Sequence, residues 1–433
     1  MRIRILAALV ISAPVLAVAA APATGAAPSP ARHSHTGIQS VTAITKVYTY
    51  GQKVAAVAIE YSKRVDPRTL DAATFTVSDS IYNFRYNPVE DLSKRADRTV
   101  TRIYTNDSVE LNASGRSTPG RYVIVELAPT DPGGNTVVVS KCPTFLCSVK
   151  VNEDQPTQVV QNEDVRAWSW LGRGRVLGEA SSAAHSLSGR TVNLLVDEFE
   201  HRTFLRDGTA LRYAYHLPAR YNPRREYPLV VVLPGHGMGW DGDNLGVQLA
   251  ADIPATAWLQ PSWTGTYEDV IVLAPQNERV GAVAEAEIMA DLVERFARSH
   301  RVDRDRIYAS TVSYGSTLAW EAMASRPGLF AGALITGGFQ VSADQAQRIA
   351  TARTPIWVTH GEHDHLLPVT YGWQSAEMLR AAYVAAGSDP AEAQRLVRYT
   401  EYADAAFSEP DYHAAFGPTY EDETILRWLL AQA

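Results

Sequence analysis

Residues 306–316 read RIYASTVSYGS and place Ser313 between an apolar run and the start of a helical pattern. The run at 306–309 predicts a buried strand, and the residues after Ser313 predict a helix. A serine on such a turn projects its hydroxyl over the edge of a sheet, usually within G-x-S-x-G. Gly315 fits that pattern, whereas Thr311 replaces the first glycine. The segment therefore predicts a nucleophile, and the alternative is a helix N-cap serine.

Strand and helix patterns alternate on both sides of this segment. Continuous apolar runs at 227–233 and 269–274 predict strands buried on both faces of a parallel sheet. Apolar residues repeat at helical spacing over 284–299. Further strands are predicted at 211–217, 332–336 and 355–359, and further helices at 314–325, 343–352, 374–386 and 423–431. This alternation predicts a doubly wound α/β sheet, in which chemistry lies at the carboxyl ends of strands.

The preceding part of the chain has a different pattern. Short β-branched runs at 54–61, 74–77, 121–127 and 135–139 are separated by Pro- and Gly-rich turns, which predicts an all-β sandwich. Every Lys lies at or before Lys150, and every Trp lies at or after Trp168. Without a cluster of catalytic residues, this part is predicted to be a structural or docking module. A polymer-binding module is the alternative, and a lack of Trp would argue against it.

The first residues predict an export signal. Arg2 and Arg4 precede an apolar stretch at 5–20, and small-residue cleavage sites follow at 17–19 and 19–21. A membrane anchor is the alternative, but this stretch is shorter than the ~20 residues of a span and contains Pro14. We therefore predict a signal peptide at 1–27, a linker at 28–40, a sandwich at 41–196 and a catalytic domain at 197–433. The mature protein is predicted to be secreted, with no membrane span.

Net charge and cysteine content limit the partners and sites that this chain can have. The net charge is −7, from 40 basic and 47 acidic residues, so no basic excess is available for nucleic acid. Cys142 and Cys147 are the only cysteines, too few for a four-Cys zinc site. In an oxidising compartment they are predicted to form a disulfide, and two free thiols are the alternative.

Two further residues complete a candidate constellation with Ser313. Asp364 lies in HGEHDH at 360–365, directly after a predicted strand, with Glu362 as the competing carboxylate. The spacing H-x-x-H-D-H differs from the metallo-β-lactamase pattern H-x-H-x-D-H, so no metal is predicted. His413 precedes the last predicted helix. The order Ser, Asp, His is that of α/β-hydrolases, and the three side chains suit a nucleophile, its orienting acid and its base.

Several segments of the back part parallel one family of enzymes. These are YPLVVVLPGHG at 227–237, VDRDRIY at 302–308, P-x-x-F at 327–330, PIWVTHGEHD at 355–364 and WLL at 428–430. The region from about residue 199 onward thereby resembles secreted α/β-hydrolase esterases of the prolyl-oligopeptidase-like group that carry an N-terminal immunoglobulin-like domain. Pro234 stands where that family has a histidine.

The resemblance implies roles for five residues. Ser313 would be the nucleophile, Asp364 the acid and His413 the base, with main-chain N–H groups of Tyr314 and His236 as oxyanion donors. An alignment shifted onto the following His-Gly pair would instead select Met238 as the second donor.

We therefore expect acyl transfer by a secreted carboxylesterase that needs no cofactor and acts on small or polymeric esters. A serine peptidase with the same triad is one alternative, and a non-catalytic binding protein on a hydrolase scaffold is another. Three tryptophans are candidates for lining an acyl or aryl pocket, with ordinary packing as the alternative: Trp240, Trp258 and Trp263.

Overall fold

A computed structural model describes residues 37–82, 93–141, 147–172, 174–260, 262–263, 267–278, 282–408 and 411–433. These residues belong to one compact unit. The predicted signal peptide and Cys142 lie outside the described residues, so the export signal and the disulfide stay predictions. Among the described residues, no helix is both long and apolar enough to cross a membrane.

The front part of the described chain is built from strands. They are β1 (Ile38–Tyr48), β2 (Gly51–Tyr61), β3 (Phe75–Ser80), β4 (Arg95–Asp97), β5 (Val100–Asn106), β6 (Tyr122–Leu127), β7 (Val137–Lys141), β8 (Ser148–Val151), β9 (Gln158–Gln161), β10 (Val165–Arg166), β11 (Val176–Gly178), β12 (Ala184–Ser186) and β13 (Val192–Asn193). One sheet has the order β13-β1-β2-β6-β5 and another β12-β9-β3-β4, while β7–β8 and β10–β11 form two-stranded sheets.

Period-two side chains explain why these strands form a sandwich. Val57 and Ile59 of β2 join Phe75 and Val77 of β3 in the core shared by the two larger sheets. Ala56 and Ala58 of β2 belong to a separate small cluster on the other side. Alternate residues of a strand point to opposite faces, so β2 is buried on both. The predicted immunoglobulin-like sandwich is confirmed.

The front part is not free of tryptophan. Trp168 and Trp170 lie between β10 and β11, and Trp170 is 87% exposed. Because the sandwich continues through β13, it extends well past the point where the composition changes. The lack of Trp is therefore no argument against polymer binding by this part of the chain.

The back part alternates strands and helices. Its strands are β14 (Glu200–Arg206), β15 (Thr209–His216), β16 (Tyr227–Leu233), β17 (Ile271–Gln276), β18 (Val302–Val312), β19 (Gly332–Thr336), β20 (Ile356–Gly361) and β21 (Val397–Tyr402). Its α-helices are α1 (Val247–Ala250), α2 (Ala282–Ser299), α3 (Gly315–Ser325), α4 (Ala343–Ala350), α5 (Thr370–Ala385), α6 (Pro390–Leu396), α7 (Phe416–Glu421) and α8 (Glu423–Leu430).

These strands form one mixed sheet of order β14-β15-β17-β16-β18-β19-β20-β21. β14 and β15 run antiparallel to their neighbours, and the pairs from β17 to β21 are parallel. Leu229 and Val231 pack on one face with α2, α3, α4 and α5, whereas Val230 and Val232 pack on the other with α8. Burial on both faces explains the continuous apolar run of β16. The predicted α/β-hydrolase sheet is confirmed.

The sequence did not predict the edge strands. β14 has only exposed and partly buried residues, and β21 is mostly partly buried, so neither has the apolar run that marked the central strands. The short helices α1, α6 and α7 were also not predicted. Ser313 and Asp364 follow the predicted strands β18 and β20, whereas His413 lies in the segment between β21 and α7, neither of which was predicted.

Candidate active site

Ser313 occupies a strained turn between β18 and α3. Its φ is 49°, a left-handed conformation that residues other than glycine seldom adopt. Its main-chain N–H donates to the carbonyl oxygen of Thr336 in the neighbouring strand at 2.9 Å. Strained backbone persists where the surroundings fix it, and it is found preferentially at functional sites.

Three side chains from three loops form a hydrogen-bonded chain. The distance from Ser313 Oγ to His413 Nε2 is 2.9 Å, and that from His413 Nδ1 to Asp364 Oδ2 is 2.8 Å. The Asp364 side chain is fully buried and that of His413 is 11% exposed. This arrangement can move a proton from the hydroxyl to the imidazole and hold the ring in one tautomer.

Besides His413, further donors hold the Asp364 carboxylate. Its Oδ1 accepts from the main-chain N–H groups of Leu366 at 2.8 Å and Leu367 at 2.9 Å. Its Oδ2 also lies 3.2 Å from Nε2 of His360, which is itself fully buried. Burial alone would raise the pKa of Asp364, but hydrogen bonds from His360 and His413 outweigh it and hold that pKa well below its usual range.

The histidines of the 360–365 segment have separate surroundings. His360 turns inward to Asp364, whereas His363 is exposed and its Nδ1 lies 2.9 Å from Asp404. Glu362, the competing carboxylate, is exposed, while Asp364 meets His413. The part of the chain that the structure describes holds no group of three or more His, Cys, Asp or Glu able to bind a metal ion. Sequence reasoning treated His360 as a metal candidate and missed its contact with Asp364.

The turn after β16 lies beside Ser313. A Cβ placed on Gly235 would lie 3.5 Å from the Cβ of Ser313. The N–H of Met238 donates to the carbonyl oxygen of Gly235 at 3.4 Å within this turn. His236 and Met238, the two candidates for the second oxyanion donor, both lie in this segment. The His236 ring meets the Tyr314 ring edge to face, with centroids 5.9 Å apart.

A cavity of about 170 Å³ opens beside this turn. Tyr314 forms one wall, and burial, followed by the negative charge of Glu285 and a hydrogen bond to it, raises the pKa of its phenol. The remaining lining residues are Pro234, Gly235, His236, Gly237, Gly239, Asn277, Glu278 and Leu318.

The candidate pocket tryptophans are not among the lining residues of this cavity. Trp258 and Trp263 are 1% and 2% exposed and pack edge to face in the core behind the sheet. Trp240 lies under the guanidinium of Arg212, at 3.9 Å from the ring centroid, and pairs with Glu278 as an isolated bridge. Large apolar rings buried behind a sheet contribute to core packing. Trp258 and Trp263 therefore agree with the packing alternative and not with a role in lining the pocket.

Known proteins match both parts of the chain. The family described as Esterase Ig-like N-terminal domain matches residues 40–170. The family described as Phospholipase/Carboxylesterase matches residues 261–391. The sequence matches no curated protein.

Solved structures of esterases are similar to the chain. A thermostable esterase is 28% identical, covering 91% of this chain and 100% of its own, with a TM-score of 0.74. The carboxylesterase Cest-2923 of Lactobacillus plantarum WCFS1 is 14% identical, covering 54% of this chain and 99% of its own, with a TM-score of 0.38. Esterase 2 of Thermogutta terrifontis is 16% identical, covering 55% and 98%, with a TM-score of 0.37. Of these three, the thermostable esterase alone is similar enough to support an argument about this chain. The two family matches and this esterase identify the chain as a carboxylesterase-type hydrolase with an esterase Ig-like N-terminal domain.

Proposed function

We propose that the chain is a secreted carboxylesterase that cleaves esters through an acyl-enzyme on Ser313. The observation that carries this proposal is the continuous hydrogen-bonded chain from Ser313 Oγ through His413 to Asp364. The depressed pKa of Asp364 keeps its carboxylate charged, so it can stabilise the imidazolium that forms during attack.

The reaction proceeds in two balanced steps. Ser313 Oγ bonds to the acyl carbon while its proton passes to Nε2 of His413, and the ester C–O bond then breaks as that proton goes to the leaving alcohol. In the second step water attacks the acyl carbon while His413 accepts its proton, and the acid is released as that proton returns to Ser313 Oγ. Main-chain N–H groups of Tyr314 and His236 stabilise the negative oxygen in both steps, at ~3 kcal/mol per donor.

A fluorophosphonate probe tests the nucleophile directly. Attack by Ser313 forms an O–P bond and releases fluoride, so the intact protein gains the mass of the probe fragment. We expect labelling of the wild type and none of Ser313→Ala. Absence of labelling in the wild type would contradict catalysis and favour a binding protein on this scaffold.

Substrate comparison separates esterase from peptidase. We expect nitrophenyl esters of short acids to be turned over, and peptide nitroanilides to be left intact at the same enzyme concentration. Faster cleavage of the anilides would favour the peptidase.

Secretion rests on the charged and apolar pattern of the first 27 residues. Expression of the full chain in a bacterium with a Sec pathway should release a shortened protein into the periplasm or medium. N-terminal sequencing of that product locates the cleavage site, and retention of residue 1 in a membrane fraction would contradict release and favour the membrane anchor.

A further inference from the structure

We call the part of the chain with strands β1 to β13 the front domain, and the part with strands β14 to β21 the back domain. The β7–β8 hairpin of the front domain is in direct contact with the segment that follows β16. We call residues 234–244 the oxyanion loop, because they include His236. Val149 of β8 pairs with Val139 across the hairpin and directs its main chain at the loop. Its N–H donates to the carbonyl oxygen of Gly237 at 3.0 Å. The hairpin thus contributes a strand-like edge beside the loop.

A loop side chain completes this contact. Nδ2 of Asn244 donates to the carbonyl oxygen of Val149 at 3.1 Å and to that of Gly239 at 2.8 Å. A Cβ on Gly237 would lie 2.6 Å from the carbonyl oxygen of Cys147, so the two main chains approach at a distance that glycine permits. Asn244 therefore binds both Gly239 of the loop and Val149 of the front domain through one side-chain amide.

Apolar burial reinforces the polar contacts. A single buried cluster spans the two domains, and Met238 of the loop belongs to it. Such a cluster resists shear between its members, because each displaced side chain would open a void. The other members are Tyr82, Val137, Val138 and Val149 from the front domain and Val247, Ala250 and Ala251 from the segment around α1.

Both ends of this contact are anchored. Within the back domain, Nε2 of Gln276 donates to the carbonyl oxygens of Asn244 at 2.8 Å and Met238 at 3.2 Å. Within the front domain, the N–H of Thr136 donates to the carbonyl oxygen of Gln52 at 3.0 Å, just before β7 begins. The loop therefore lies between the sheet of the hydrolase and the sandwich.

We infer that the front-domain hairpin is part of the catalytic machinery, because it fixes the oxyanion loop through Val149 and Asn244 as positioning residues. The inference rests on the proposed oxyanion role of His236. An oxyanion donor is effective only when it is held in place before charge develops. Shifting the loop away from Val149 would move the His236 N–H from the forming oxyanion without removing it.

Asn244→Asp tests this inference because it replaces the donating amide by a carboxylate that repels the carbonyl oxygens of Val149 and Gly239. We expect kcat for a nitrophenyl ester to fall 10- to 100-fold, less than the loss of a whole donor, with KM changed less than threefold. Affinity for a trifluoromethyl ketone, which forms a tetrahedral adduct, should fall in parallel. Asn222→Asp makes the same chemical change on an exposed turn and should leave both values within twofold.

Hydrogen exchange supplies a measurement that a purely structural hairpin would not affect. Phosphonylation of Ser313 places an oxygen among the oxyanion donors, so the loop should tighten and exchange at the Val149 amide should slow at least threefold. Exchange in β1, away from the loop, serves as the internal reference. If Asn244→Asp fails to fold, Val149→Ala with this exchange measurement takes its place, because it weakens the buried cluster but keeps the main-chain contacts.

The outcomes separate this inference from the proposed function. If the wild type is not labelled by fluorophosphonate, the proposed function fails. If the wild type is labelled but folded Asn244→Asp keeps its kcat and its ketone affinity within twofold, only the role of the hairpin is overturned. Unchanged exchange at Val149 after labelling would overturn it in the same way.

Discussion

Removing the imidazole of His360 should weaken catalysis while Ser313 and His413 stay intact. The buried Asp364 carboxylate accepts from Leu366, Leu367, His413 and His360, so His360→Ala leaves three of these four contacts in place. Loss of one hydrogen bond to a buried charge costs about 2 kcal/mol of unfolding free energy. The loosened carboxylate orients the base less well, and we expect kcat to fall about 10- to 100-fold, less than the ~10⁴-fold cost of losing the carboxylate charge itself.

The assay is steady-state hydrolysis of a nitrophenyl ester together with denaturant unfolding. His360→Gln keeps an amide donor near the position of Nε2 and should recover most of kcat. His363→Ala is the matched control, since that exposed ring contacts Asp404 and should change kcat less than twofold. The reasoning is wrong if folded His360→Ala keeps kcat within twofold, or if the glutamine variant is no better than alanine.

Three further predictions follow from buried contacts. Asp364→Asn should lower kcat about 10⁴-fold. The folded pKa of Asp364 lies below its unfolded value of ~3.9, so its stabilising contribution is present above that value and is lost progressively as pH falls toward the folded pKa. The Tm difference from wild type should therefore narrow as pH falls below about 5. Gly361→Ala would place a Cβ 2.2 Å from the carbonyl oxygen of Tyr412, and kcat should fall at least ~100-fold as the neighbouring base is displaced; unchanged kcat in a folded variant would refute this. Thr311→Val should raise the unfolding free energy by about 1 kcal/mol, because Oγ1 of the buried Thr311 has no hydrogen-bond partner among the described residues. Thr359→Val is the matched control and should lower the unfolding free energy, because Oγ1 of Thr359 lies 2.9 Å from that of Thr419.

The sequence indicated the fold and the three candidate side chains because their signals are local. Apolar runs marked the central strands, and Ser313 and Asp364 follow two of these strands closely. Long-range contacts left no comparable signal. Nothing near His360 indicates that its ring turns inward to Asp364, and nothing near Val149 indicates a contact with a loop about ninety residues further on.

The choice between pocket and packing for the tryptophans could not be made from the sequence for a related reason. A loop tryptophan after a strand can turn toward the site or back under the sheet, and the local sequence is the same in both cases. Trp258 and Trp263 turned back, because the face of the sheet opposite α2 to α5 is otherwise covered mainly by α8 and short segments. Burial there depends on the whole layer, not on neighbouring residues.

The order of the strands and two glycines together determine the path of the loop that carries His413. Ser313 follows β18, but the strand before His413 is β21, at the edge of the order β18-β19-β20-β21. At about 4.8 Å per strand, the loop must return some 14 Å across the carboxyl ends of β20 and β19. Glycines lie beneath it at both crossings: a Cβ on Gly361 would meet the carbonyl oxygen of Tyr412 at 2.2 Å, and one on Gly337 would meet that of His413 at 3.1 Å. The loop therefore packs against main chain at both crossings, and a side chain at either position would move His413 away from Ser313. These glycines are as necessary to the geometry as the side chains that form the hydrogen-bonded chain.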